Sequence, residues 1–148
     1  RAHRVEAARL LSDVATEFDG LGEHAMWATS FAHAFALFST IRASAGDLPL
    51  WWHDAVLLDA SARACRACPG SPLVWDMRGT VLCGGNSLLW NVSTPRTKGQ
   101  FRVASLCFVK AAHLHTDEQA RRNASERALF SKSCTHVAPT VASLAPVE

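Results

Sequence analysis

The chain has 148 residues and a formal net charge of +2, from 15 Lys and Arg against 13 Asp and Glu. Hydrophobic residues make up 49% and charged residues 19%, which excludes an intrinsically disordered chain, since such chains are apolar-poor and charge-rich. The length suits one domain with a buried core, and the near-neutral balance argues against a nucleic-acid binder, which needs a concentrated basic surface.

From the N-terminus to residue 45 the pattern predicts helix. Leu11, Val14, Phe18, Leu21, Ala25, Ala28, Ala32 and Phe35 recur at alternating steps of three and four, which places them on one face. From Trp27 onward a second stripe joins it, through Phe31, Ala34, Phe38 and Ile41; two stripes imply burial on two sides. Asp19-Gly20-Leu21-Gly22 interrupts the pattern, and because each Gly costs about 1 kcal/mol in a helix interior, a kink or break belongs there. Met26 to Ile41 falls short of the ~20 apolar residues that a membrane span needs, so it reads as a buried helix. A second helix is expected over 47–68, opened by Asp47 and Pro49, carried by Trp51, Ala55, Leu58, Ala62 and Cys65, and ended by Pro69-Gly70.

The period then changes to two. Leu73-Val74-Trp75-Asp76 and Thr80-Val81-Leu82-Cys83 flank Met77-Arg78-Gly79 and read as a hairpin with Gly at the tight position. Ser87 to Val92 and Gln100 to Ala112 complete an antiparallel sheet of about four strands over 72–112. A last helix is expected over 116–134, with Thr116 as cap and Gln119 in capping-box spacing, followed by an irregular tail over 135–148. The expected fold class is therefore α+β, in a single domain.

Five cysteines, Cys65, Cys68, Cys83, Cys107 and Cys134, are candidates for one or two disulfides with a thiol left over, or for buried apolar side chains. Cys65 and Cys68 with His113 and His115 could make a zinc site, but the spacing fits no standard finger, and no metal is assigned. Asn91-Val92-Ser93 and Asn123-Ala124-Ser125 fit the N-glycosylation pattern. The seven histidines sit in no recognisable catalytic motif: the chain has no nucleophile elbow, no His-Glu-x-x-His pair and no phosphate loop. Neither an enzymatic activity nor a cofactor is implied. Trp75 and Trp90, on neighbouring strand candidates, could wall a small-ligand pocket, with Asp76, Arg102 and His113 as the polar groups that reach it.

Leu73-Val74-Trp75-Asp76-Met77-Arg78-Gly79-Thr80-Val81-Leu82, an apolar strand ending in Asp, a Gly turn and a returning strand, resembles a hallmark of Cache and related PAS-like sensor domains. The long helix from Arg4 to Ile41 resembles the membrane-proximal signalling helix that opens Cache domains, and the short helix leading into Pro69-Gly70 sits where that family places one. The resemblance implies an extracytoplasmic domain of a membrane receptor, binding a small molecule between sheet and helices and signalling through its N-terminal helix. A chain that starts at Arg1 rather than Met is expected to be a processed product or an excised domain of a membrane-anchored parent. The Leu11/Val14/Phe18 stripe is the expected dimer face. The alternative expectation is a secreted or viral-envelope glycoprotein subunit, held by disulfides and acting by protein–protein interaction.

Overall fold

The computed structural model describes residues 2–41, 45–84 and 95–138, and every regular element among them is helical. The six α-helices are α1 (Ala2–Gly20), α2 (His24–Thr40), α3 (Asp54–Ala67), α4 (Pro72–Leu82), α5 (Lys98–Leu114) and α6 (Glu118–Cys134), with one 3-10 turn at Ala45–Asp47 before α3. The expected α+β class is thereby overturned, and with it the Cache or PAS-like architecture, which needs a sheet. The segments assigned to strands at both ends of 72–112 are α4 and α5; the Ser87–Val92 strand candidate, with Trp90 and Asn91, lies outside the described residues.

Local chemistry explains both corrections. Pro72 stands in the first turn of α4 after Ser71, where its missing N–H has no helical partner to lose and its fixed φ suits the helix. The buried residues of α4 include Val74, Met77 and Val81, spaced by three and four. At α5 the Thr97 side chain accepts from the Gln100 N–H at 3.1 Å, and Gln100 Oε1 accepts from the Thr97 N–H at 2.8 Å. This reciprocal capping box starts a helix whose buried positions, Ala104, Cys107, Phe108, Ala111 and Ala112, again follow the helical period. The last helix begins one turn-residue later than expected: Asp117, not Thr116, accepts from the Ala120 N–H at 2.9 Å.

The break at Asp19 to Gly22 is real. Glu23 N–H reaches Phe18 O at 2.9 Å and Gly22 N–H reaches Asp19 O at 3.1 Å, with Gly22 at φ +74°; this is a Schellman stop with glycine in the left-handed position. The long N-terminal rod is therefore folded into the antiparallel pair α1 and α2. Leu11 and Phe18, placed on an outward dimer face by the sequence reading, are partly buried against the main core, while Val14 stays exposed.

Neighbouring helices pack in chain order: α1 on α2, α2 on α3 and α4, α4 on α5, and α5 on α6. Helix α2 is buried on both stripes, through Trp27, Ala28, Phe31, Ala32, Ala34, Phe35 and Phe38, as its double periodicity required. Its aromatic ridge meets Trp51 and Trp52 in the segment before α3, with ring centroids 4.4 Å apart for Phe31–Trp51 and 5.3 Å for Phe35–Trp52. Such pairs add about 0.5–1.5 kcal/mol beyond the area they bury.

Helix α4 joins this core to the C-terminal pair. Trp75 is packed against each of the three hydrophobic clusters among the described residues, and its indole N–H donates to Pro69 O at 2.7 Å. Gly79 is a close-approach position, not the turn expected of it: a Cβ there would sit 2.8 Å from the Phe108 ring, and Phe108 is itself buried. Arg78 donates to Leu58 O at 2.7 Å and Ser61 Oγ at 3.1 Å on α3. Arg96, just before α5, donates to Asp54 Oδ2 at 2.9 Å, Asp54 Oδ1 at 2.5 Å and Val81 O at 2.8 Å. Both side chains of the Arg96–Asp54 pair are only 2% exposed, so its fork geometry and the Val81 carbonyl offset the cost of desolvation.

Two stability outcomes follow. Arg96→Ala should lower unfolding free energy by about 3–5 kcal/mol, because it strips a buried carboxylate of its guanidinium; chemical denaturation measures it. Gly79→Ala gains about 1 kcal/mol of helix propensity but overpacks Phe108 at a cost of about 1–3 kcal/mol, so it should destabilise, and Phe108→Leu in the same chain should recover part of the loss.

Candidate functional site

The C-terminal helix pair carries an apolar concavity. Ser105 Oγ donates to Ala128 O at 2.8 Å, and short side chains at Ala111, Ala112 and Ala124 form the contact, so the two helices approach closely. Ala112 and Ala128 are buried floor residues, whereas Leu106, Val109 and Leu129 stand up around them. Short floor and tall walls leave a groove of about 780 Å³. Leu106 and Leu129 are 67% and 70% exposed, which water disfavours for two large aliphatic side chains on one face.

The rim is charged with one sign. Arg102, Arg121 and Lys132 line the groove together with His113, Ser105 and Ser125, and among the described residues no carboxylate lines it. Arg121 is held in place by its Nε–H, which donates to His115 O at 3.0 Å. An apolar trough with cationic edges can hold an apolar surface flanked by carboxylates. Among the described residues, no group of three or more His, Cys, Asp or Glu is arranged to hold a metal ion.

The residues proposed from sequence for one ligand pocket fall in three places. Arg102 and His113 line the α5–α6 groove. Trp75 belongs to the packing around α4. Asp76 lies on α4 in a separate crevice of about 290 Å³, which Ser39, Thr80 and Arg127 also line. There Asp76 Oδ2 is 2.6 Å from His115 Nε2, and Asp76 Oδ1 has no hydrogen-bond partner among the described residues. Burial raises the Asp76 carboxyl above its ordinary range, opposed by the hydrogen bond and charge of His115 and by Arg127.

The zinc reading of Cys65 and Cys68 with His113 and His115 finds its histidines already divided between the groove and Asp76. All five cysteines are free thiols. Burial pushes the Cys65 thiol up to about 12 and Cys107 up to about 11, which keeps both neutral and poorly nucleophilic. Cys65 donates to Val74 O at 3.4 Å, and Cys83 lies 2.9 Å from Ser131 Oγ; burial raises the Cys83 thiol as well. Asn123 is exposed on α6 and accepts from Gln119 Nε2 at 2.9 Å. Among the described residues, no helix is long and apolar enough to cross a membrane.

What the sequence reading missed was the partnership of Leu106 with Leu129. The available signal was the Thr97–Gln100 capping box: once α5 is a helix, Arg102, Leu106, Val109 and His113 share one face by their steps of four, three and four.

A carboxyl whose folded pKa is raised contributes stability fully below its unfolded value and loses it as pH rises through the folded value. Asp76→Asn removes that loss. Its stability relative to wild type should therefore increase as pH rises from the ordinary carboxyl range through the raised folded value of Asp76, read from denaturation curves of the two proteins across a pH series.

No family model matches the chain, and no curated protein or solved structure matches it.

Proposed function

We propose that this chain is a protein-interaction module whose α5–α6 groove receives an amphipathic helix with acidic flanks. Protein–protein interaction is also the mode of action in the alternative expectation from the sequence, a disulfide-held glycoprotein subunit. The observation that carries the reading is the union of Leu106, Val109 and Leu129 over an alanine floor with a rim of Arg102, Arg121 and Lys132. A trough between two antiparallel helices suits a third helix, which inserts a row of apolar side chains at helical spacing. The uniform positive rim selects acidic flanks over basic ones, and it repels a partner of its own sign.

The partner helix would cover Leu106 and Leu129 and place carboxylates against Arg102 and Lys132. The apolar wall supplies the affinity, since buried anchors dominate binding energies. The rim supplies orientation and a salt-sensitive association rate.

A labelled peptide with leucines at steps of three and four and glutamates on both flanks tests this by fluorescence polarisation. It should bind, and Leu106→Ser with Leu129→Ser, both exposed positions, should weaken it about tenfold or more. Added salt should weaken binding, and a lysine-flanked peptide of the same apolar pattern should bind at least about tenfold less well. Equal binding of the two peptides, or binding unmoved by the double substitution, would refute the proposal. Self-association of the chain through the same leucines, seen by sedimentation, would assign the groove to a second copy instead.

A further inference from the structure

A second concavity, remote in sequence from the first, lies where α1, α2 and α3 meet, with a volume of about 490 Å³. Its wall is aromatic: Trp27 and Phe31 from α2, and Trp51 from the segment before α3. Trp51 is fixed by its indole N–H, which donates to Ser12 Oγ of α1 at 2.9 Å, and by Phe31 and Phe38 against its ring at 4.4 Å and 5.8 Å. Two carboxylates border the groove, Asp19 from α1 and Asp59 from α3, with one cation between them, Arg63.

Arg63 demonstrates what the wall holds. Its guanidinium carbon lies 3.9 Å from the centroid of the Trp27 ring, and the group is ion-paired with Asp19, which lowers the Asp19 carboxyl below its ordinary range. Cation on an aromatic face, backed by a carboxylate, is the arrangement that recognises organic ammonium ions. Asp59 is exposed, accepts no hydrogen bond from the described residues, and acts on Arg63 only through space. The groove therefore carries one negative charge more than Arg63 balances, beside the half-buried ring of Trp51.

We infer that this groove binds a small organic cation, a primary or quaternary ammonium on a short apolar body, with Trp51 and Phe31 against the apolar part and Asp59 as counter-ion. The cation charge is attracted by the ring quadrupole and by the unbalanced carboxylate, while the apolar body replaces water on the aromatic wall. The reading is independent of the α5–α6 groove, shares no lining residue with it, and survives or fails on its own.

Choline is the probe, with its neutral isostere 3,3-dimethylbutan-1-ol as the comparison and sodium chloride as the ionic-strength control. Indole N–H signals in a nitrogen–proton correlation spectrum of the full chain report binding, and Trp51→Phe identifies the Trp51 signal. Choline should shift the Trp51 signal saturably in the millimolar range, and the neutral isostere should bind about fivefold or more weakly. Asp59→Asn, an exposed change, should weaken choline about fivefold, whereas Arg63→Gln, which removes the resident cation, should tighten it. An unmoved Trp51 signal, equal binding of the isostere, or weaker choline binding in Arg63→Gln would each overturn the inference.

Discussion

Helix α4 is the constraint on which the rest of the molecule depends. It is 11 residues long, yet it packs on α2, α3 and α5 and carries several of the contacts that join the helices on either side of it. Trp75 fills the space where the three hydrophobic clusters meet. Gly79 gives up a side chain so that the Phe108 ring can lie against the helix backbone. Arg78 reaches back to α3, the Val81 carbonyl receives Arg96, and Asp76 pairs with His115. So short a helix is marginal in isolation; its tertiary contacts make it a helix, and it in turn fixes the placement of α5.

Placement of α5 decides where the apolar surface is left over. Helix α2 gives two apolar stripes to its neighbours. Helix α5 gives Ala104, Cys107, Phe108, Ala111 and Ala112 to the interior and still keeps Val103, Leu106 and Val109 outside. Helix α6 buries only Ala124, Ala128 and Ser131, all small, so it approaches α5 closely without covering those side chains. The groove is thus a consequence of packing a helix with a wide apolar face against one whose inner face is short, and its cationic rim follows from Arg102, Arg121 and Lys132 flanking that seam.

The two concavities have opposite characters for a chain of net charge +2. The α5–α6 groove is aliphatic with a positive rim; the α1–α2–α3 groove is aromatic with a negative balance. They are built at opposite ends of the order in which the helices pack, so a helical partner and a small cation would not compete for one surface. The Asp76–His115 crevice between them is more enclosed, and its polar groups chiefly secure α4 against the turn after α5.

The sequence by itself determined the helical character of the N-terminal half: the three-and-four spacing of α1 and α2, the double stripe that buries α2, an interruption near Gly20 and Gly22, and the end of the next helix, whose start at Asp54 lies seven residues beyond the expected Asp47. It also determined that α6 is a polar surface helix. Strand and helix at α4 and α5 were separable only through Pro72 and the Thr97–Gln100 box, because apolar residues on both faces erase the polar side from which a helical period is read. Which faces meet was decided by tertiary structure alone. Asp76 finds His115 across 39 positions and Asp54 finds Arg96 across 42, and no local pattern encodes pairings at that separation. The same holds for both grooves, since a concavity is a property of two packed surfaces and each helix carries only one of them.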